Sequence, residues 1–245
     1  MPAKIAPYGS WKSPITAELI ARGAVGLGFP ELAGDAVYWL ELRPAEGGRY
    51  VIRRLSGRET VDVTPSGFNA RTRVHEYGGG AYLVHEDSVF FSNFEDQRMY
   101  RQDGGGDPYP ITQEPDTQAA LRYADGRLTP DGRLVVCVRE SHDGEQVLNE
   151  LVAFPSDGPQ WQRAVVSGSD FYAFPRISPD GHQLAWISWD HPRMPWDGTE
   201  LWVADLSGAG EVGEPRLVAG GPTESVLQPE WSPDGALYFV SDRTG

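Results

Sequence analysis

Short runs of β-branched and aromatic residues alternate along this chain with clusters of glycine, proline, aspartate and serine. Runs of that length, bounded by turn formers, predict strands rather than helices. Five of them are entered through an aspartate: Asp35-Ala-Val-Tyr-Trp39, Asp87-Ser-Val-Phe-Phe91, Asp131-Gly-Arg-Leu-Val-Val136, Asp180-Gly-His-Gln-Leu-Ala-Trp186 and Asp234-Gly-Ala-Leu-Tyr-Phe239. Subtracting successive aspartate numbers gives intervals of 52, 44, 49 and 54, the repeat length of a four-stranded propeller blade. In Thr129-Pro-Asp-Gly132, Ser178-Pro-Asp-Gly181 and Ser232-Pro-Asp-Gly235 the hydroxyl can cap the turn, proline presets φ and glycine takes the left-handed position. Such turns join antiparallel strands as hairpins.

The pattern therefore predicts an all-β fold, a β-propeller with four complete blades and half of a fifth, forming an incomplete ring. Blade I uses Val25–Leu32, Ala36–Leu42, Arg49–Leu55 and Glu59–Thr64; blade II uses Ala81–His85, Ser88–Asn93, Arg98–Gln102 and Tyr109–Thr112. Blade III uses Arg127–Thr129, Leu134–Arg139, Glu150–Phe154 and Arg163–Val166. Blade IV uses Phe174–Ile177, Gln183–Ser188, Glu200–Asp205 and Arg216–Val218, and blade V supplies Gln228–Ser232 and Leu237–Ser241. The blades fall at about residues 25–66, 72–114, 121–168, 171–221 and 226–245. Residues 1–24 form an N-terminal arm outside the repeat. In it Ser13 and Pro14 read as cap and first residue of a short helix over Ile15–Ala21, with Arg22-Gly23 as the stop. An arm this short must dock on something to stay folded. A propeller needs closure, and Asp242-Arg-Thr-Gly245 is a turn that expects another strand. The expectation is a piece of a longer protein, with exposed apolar surface on blades I and V and self-association through those open edges.

A formal charge of -14 and a pI near 4.7 argue against nucleic acid or an anionic membrane as the main partner, since both require basic patches. Cys137, the one cysteine, cannot form an intramolecular disulfide and reads as a small core residue in Leu134-Val-Val-Cys-Val138. With no apolar signal core and no long apolar span, a cytoplasmic location is expected.

The search for chemistry is mostly negative. No Gly-x-Ser-x-Gly elbow occurs. His75-Glu76 is followed by Tyr-Gly-Gly-Gly, which cannot continue a zincin helix, and the five histidines show no ligand spacing, so no metal site and no cofactor are predicted. The carboxylate pairs Glu95-Asp96 and Glu31 with Asp35 fall at predicted turns, where acids are usually solvated. Gly78-Gly-Gly80 lacks the accompaniments of a phosphate cradle and reads instead as close backbone approach on an innermost strand. Asp103-Gly-Gly-Gly-Asp107 is a plain loop, and Trp39, Trp186 and Trp202 read as packing between blades. The exceptional segment is Arg71-Thr-Arg-Val-His-Glu-Tyr77, which sets two arginines, a histidine and a glutamate just ahead of an innermost strand. It serves either as a ligand-contacting cluster or as an internal ion pair at a blade junction.

Three stretches together carry a family resemblance: Tyr8-Gly-Ser-Trp-Lys-Ser-Pro-Ile-Thr16, Arg71-Thr-Arg-Val-His-Glu-Tyr-Gly-Gly-Gly80, and Ser232-Pro-Asp-Gly235 with Phe239-Val-Ser-Asp-Arg-Thr-Gly245. They resemble the N-terminal propeller of the prolyl oligopeptidase (S9) family of serine peptidases, within it the acylaminoacyl-peptidase and dipeptidyl-peptidase-like branch. The resemblance implies a propeller stacked on a C-terminal α/β-hydrolase domain that holds the Ser, Asp and His triad, and a gate that admits short peptides. No such domain is in this sequence, so the chain alone is expected to be inactive and no catalytic residue carries over. Arg73, Glu76 and Tyr77 are expected to line the face toward that domain, with Tyr8 and Trp11 of the arm docking there. The alternative is a stand-alone propeller binding a peptide or protein on its rim; a lactonase-type enzyme with a channel metal stands third.

Overall fold

The computed structural model describes residues 5–10, 12–21 and 24–245. The arm contributes one short helix, α1 (Ala17–Ala21). It begins later than the sequence suggests because Thr16, not Ser13, caps it: Thr16 Oγ1 accepts the Leu19 N–H at 3.0 Å, while Ser13 Oγ accepts the Ile15 N–H in the preceding turn. The expected stop at Arg22-Gly23 lies outside the described residues.

Eighteen strands follow, grouped as antiparallel sheets in which sequential strands are neighbours. Blade I holds β1 (Gly26–Ala33), β2 (Ala36–Arg43), β3 (Arg49–Ser56) and β4 (Glu59–Asp62). Blade II holds β5 (Tyr82–His85), β6 (Ser88–Ser92), β7 (Met99–Asp103) and β8 (Tyr109–Pro110). Blade III holds β9 (Leu121–Leu128), β10 (Leu134–Asp143), β11 (Gln146–Pro155) and β12 (Arg163–Val166). Blade IV holds β13 (Phe171–Ile177), β14 (Gln183–Trp189), β15 (Glu200–Asp205) and β16 (Arg216–Gly220). Blade V is the pair β17 (Val226–Trp231) and β18 (Leu237–Ser241). The first strand of each blade packs against the first strand of the next, which makes β1, β5, β9, β13 and β17 the innermost layer.

Four apolar clusters hold the blades face to face. Tyr38, Leu40 and Ile52 of blade I meet Tyr82, Val89 and Phe91 of blade II, and Leu83, Phe90 and Met99 of blade II meet Tyr123, Val135 and Cys137 of blade III. Val136, Val138 and Leu151 of blade III meet Leu184 and Trp186 of blade IV, and Ala185, Ile187 and Leu201 of blade IV meet Val226 and Trp231 of blade V. Because strand side chains alternate between faces, Val135 and Cys137 point one way and Val136 and Val138 the other, and the second strands β6, β10 and β14 are apolar on both sides. At the two ends of the array Leu27 and Leu32 on β1, and Tyr238 and Val240 on β18, are exposed.

The aspartate turns all lie at one end of the blades, where the first strand hands over to the second. Asp131 Oδ1 takes the Thr129 hydroxyl at 2.6 Å and the Arg133 N–H at 3.1 Å, and Gly132 sits at φ 71°. The Ser178 turn repeats this with Asp180 at 2.6 Å and Gly181 at φ 77°. The opposite end, called here the entry face, is where the innermost strands begin. It carries the connections between blades and the β2–β3, β6–β7, β10–β11 and β14–β15 loops.

Two strand boundaries depart from the sequence pattern in ways that build the site. Asp125-Gly126 has turn chemistry, which led to β9 being expected only from Arg127. The strand instead runs from Leu121 straight through it, with Asp125 at φ 55° in a bulge against β10. The β10–β11 hairpin extends past Arg139 to a tight turn at Gly144, φ 59°, and so carries Glu140 and His142 out to the entry face. In blade II, β8 is shorter than the expected Tyr109–Thr112: the Ile111 N–H still reaches the Met99 carbonyl at 2.9 Å, but the Met99 N–H turns to the Thr112 hydroxyl at 3.1 Å instead of completing the ladder.

Candidate functional site

The Arg71–Gly80 segment crosses the entry face from the outer edge of blade I to the start of β5. Two of its members face inward: Thr72 and Val74 are buried, Val74 among the side chains between blades III and IV. This pinning twists the next two residues into the left-handed region, His75 at φ 54° and Glu76 at φ 65°, where non-glycine residues are uncommon.

Glutamate 140 anchors the twist. Its side chain is 4% exposed. Oε2 accepts the His75 N–H at 2.7 Å, and Oε1 meets Arg122 Nη1 at 3.0 Å and His142 Nε2 at 2.6 Å. Arg122, at the start of β9 and 8% exposed, also donates to Glu76 Oε1 at 2.6 Å and to the Arg73 carbonyl at 3.0 Å. That hydrogen bond to Arg122 is the main reason the Glu76 carboxyl is held below its ordinary value. A buried charge survives only when paired and hydrogen-bonded, and each of these two buried charges is.

Among the expected residues, Glu76 is thus committed to Arg122, and Arg73 reaches Glu76 only at 4.0 Å while its N–H donates to Gln97 Oε1. Tyr77 is exposed. Tyr8 is 94% exposed, and Trp11 lies outside the described residues. Donor atoms of Glu76, Glu140 and His142 all lie within 4.8 Å of one another. A dication placed there would have to displace the Arg122 guanidinium that already bridges both carboxylates.

Beside this ion cluster stands an aromatic shelf. The His75 ring packs edge-on to Phe171 at 5.3 Å and Trp189 at 5.6 Å and tilts against Tyr77 at 5.8 Å, while Phe171 stacks on Trp189 and touches His191. Burial pushes the His75 imidazole below its ordinary pKa, against the opposing pull of Glu140 and Asp125. The sequence pattern gave no indication of Arg122, Glu140, His142, Phe171 or Trp189. They come from four strands of two blades, β9, β10, β13 and β14, and it is the length of those strands beyond the expected bounds that brings them together.

The triple glycine is a close approach, as expected. A Cβ on Gly80 would lie 2.6 Å from Asp125 Oδ1, and the Gly80 N–H donates to that oxygen at 2.6 Å. Asp125 Oδ2 takes the Phe174 N–H at 3.3 Å, so one carboxylate ties blades II, III and IV around the axis. The left-handed bulge recurs at Phe29, Asp125, Phe174 and Gln228, and two residues on each time stands a charge: Glu31, Arg127, Arg176 and Glu230. Arg176 Nε donates to Glu230 at 2.6 Å. Burial raises the Glu31 carboxyl above its ordinary value, opposed chiefly by Arg127, then by a backbone hydrogen bond at Val84 and by Arg176.

A pocket of about 300 Å³ opens between blades I and II, lined by Phe29, Leu40, Tyr50, Ala70, Arg71, Thr72, Tyr77, Gly78, Gly79 and Ala81. The Arg71 guanidinium lies 4.8 Å over the Phe94 ring and 5.6 Å over the Tyr50 ring.

No family model and no curated protein matches the chain. Solved structures do. A puromycin-hydrolyzing peptidase of Mycobacterium tuberculosis is 46% identical with a TM-score of 0.88 over 98% of this chain and 39% of its own. A serine-to-alanine variant of puromycin hydrolase in complex with PGG is 37% identical with a TM-score of 0.89, over 98% of this chain and 39% of its own. Puromycin hydrolase itself is 36% identical with a TM-score of 0.88, over 99% and 40%. The chain therefore spans about two fifths of the length of these relatives. What the match covers is four complete blades and the pair of blade V, with the Arg71–Gly80 segment among them. The chain belongs to the S9, or prolyl oligopeptidase, family and carries its β-propeller portion.

Proposed function

We propose that this propeller, residues 25–245 with the arm 1–24, serves a serine peptidase by admitting short peptides across the entry face to a C-terminal α/β-hydrolase domain, and supplies no catalytic residue itself. The observation that carries the reading is the 46% identity to a puromycin-hydrolyzing peptidase across 98% of the chain. Puromycin bears an aminoacyl group in amide linkage, so release of an aminoacyl or acylaminoacyl residue is the reaction that fits, ahead of dipeptidyl release. The entry face is the side for the catalytic domain, because the arm joins β1 there and the segment that breaks the repeat lies there. The charged side chains Glu31, Arg127, Arg176 and Glu230, all on innermost strands, stand close enough to act on one another around the axis. The location that goes with this reading is cytoplasmic, with the lone thiol of Cys137 buried; among the described residues no helix is long and apolar enough to cross a membrane.

The test uses the whole protein that bears this propeller. It is expected to hydrolyse puromycin and aminoacyl anilides, to cut ten-residue peptides, and to spare a folded protein containing the same bonds, while the 245-residue chain alone turns over none of them. Equal turnover of the folded protein and the peptide would refute the gate. Turnover by the 245-residue chain alone would refute the division of labour.

A further inference from the structure

Arg71 differs from the arginines around it. Arg98, Arg101, Arg122 and Arg176 each sit within 4.0 Å of a carboxylate, at 3.8, 2.7, 2.6 and 2.6 Å respectively. Arg71 has no carboxylate partner among the described residues; its guanidinium rests on the faces of Phe94 and Tyr50. Ring contacts of that kind fix the guanidinium plane and leave its N–H edges open, and those edges match the two oxygens of a carboxylate. In a chain of net charge -14, this leaves on the entry face a guanidinium held in place by two rings and without a carboxylate.

The room beside it has the complementary character. Phe29, Leu40, Ala70, Tyr77 and Ala81 give the pocket apolar walls, with Gly78 and Gly79 presenting backbone at its edge. Its volume of about 300 Å³ stands at the lower end of ligand pockets, enough for one apolar side chain and its terminal group but not for a long segment. The Tyr82 hydroxyl donates to the Phe29 carbonyl, which fixes the blade I wall against blade II.

We propose that this pocket is a subsite for the C-terminal end of a short peptide, in which Arg71 forks the terminal carboxylate and the apolar walls take the last side chain. The assignment of a peptide end, rather than another organic anion, rests on the peptidase reading above. The subsite selects length: a peptide whose free carboxylate reaches Arg71 gains a bond that an internal stretch of polypeptide cannot make.

The experiment is a titration of the 245-residue chain with acetyl-glycyl-phenylalanine, its C-terminal amide, and inorganic phosphate, read from the backbone amide resonances of Tyr77, Gly78 and Gly79. The acid is expected to bind at least about tenfold more tightly than the amide, the difference a charge-assisted fork supplies. Arg71→Gln removes the preference, and Arg71→Lys, which keeps the charge without the fork, retains part of it. The proposal is overturned if acid and amide bind alike, if Arg71→Gln binds the acid as the parent chain does, or if phosphate binds these amides as tightly as the peptide acid. The acid and amide comparison on the unmutated chain stands even where a variant fails to fold. No catalysis is needed for the readout. Acid-selective binding in a protein without peptidase activity would sink the peptidase reading and leave the subsite; peptidase activity without acid selectivity would do the reverse.

Discussion

Glu140→Gln tests whether the entry face is held by its buried ion cluster. The native carboxylate receives donors on both oxygens: the His75 N–H on Oε2, and Arg122 Nη1 with His142 Nε2 on Oε1. A glutamine amide has one carbonyl oxygen and one NH2. Whichever way it turns, one of these donor groups meets an NH2 and loses its acceptor. A hydrogen bond to a charged group contributes about 1.5–3 kcal/mol, and removing one partner of a fully buried pair costs about 3–5 kcal/mol. The larger figure does not apply in full, because Arg122 keeps Glu76 at 2.6 Å and is not left unpaired, and Glu76 itself is 68% exposed. The expected loss is therefore about 2–4 kcal/mol, which for a chain of this size lowers the Tm by roughly 4–16 °C. Thermal and urea melts followed by tryptophan fluorescence give the number. Glu76→Gln is the control, expected to cost less than about 1 kcal/mol because an exposed pair contributes little. A Glu140→Gln loss no larger than that of the control would refute the account, and so would the absence of coupling between Glu140→Gln and Arg122→Met in a double-mutant cycle.

Three further outcomes follow from the same contacts. Gly80→Ala would force a Cβ to within 2.6 Å of Asp125 Oδ1 and should cost about 1–3 kcal/mol in a urea melt, while Gly28→Ala, with nothing within 4 Å of the new Cβ, should be nearly neutral. Burial raises the Cys137 thiol far above its ordinary value, so a thiol reagent at pH 8 should leave the native chain unlabelled and label it stoichiometrically in urea. For Glu31 the folded pKa lies above the unfolded one, so its charged form disfavours the fold and stability is lost as pH rises from the unfolded value through the folded value. Glu31→Gln should therefore raise the Tm at pH 7, with the gain vanishing below the unfolded carboxylate range; a lower Tm at pH 7 would show that Arg127 and Arg176 outweigh the burial.

What was legible in the sequence is what neighbouring residues settle among themselves. An aspartate that takes a hydroxyl and an N–H within two residues, followed by a left-handed glycine, makes the same turn at Asp131 and Asp180 whatever surrounds it. The second strands β6, β10 and β14, apolar on both faces, are similarly self-evident. The site is different in kind. Asp125-Gly126 has the composition of a turn, yet it lies inside a strand because its carboxylate is taken up by the Gly80 and Phe174 N–H groups of two other blades. Glu140, Ser141 and His142 are polar enough to read as loop, yet they extend a strand because Arg122 and His75 supply partners for the buried charge. One signal was present and could have found the bulges: a left-handed residue, then Pro or Gly, then a charge, in Phe29-Pro-Glu31, Asp125-Gly-Arg127, Phe174-Pro-Arg176 and Gln228-Pro-Glu230.

Blade II is the exception to that second repeat, and the exception explains where the functional face lies. The aspartate turns that define the period sit on the far face. On the innermost strands, where the other four blades set a bulge and a charge, blade II has neither, and Gly78-Gly-Gly80 leads into its first strand instead. Without side chains, this backbone can pass against Asp125 and against Thr72, which lets the Arg71–Tyr77 segment lie across the mouth of the propeller rather than bulge away from it. The same missing side chains leave space next to Leu40 and Ala81, and that space is the pocket beneath Arg71. In a repeat architecture each blade is constrained by its neighbours through the same contacts, so a position that departs from the repeat is where a blade can do something besides hold its neighbours. Here the departure opens a cavity and leaves a cation unpaired beside it, and both are what a peptide end requires.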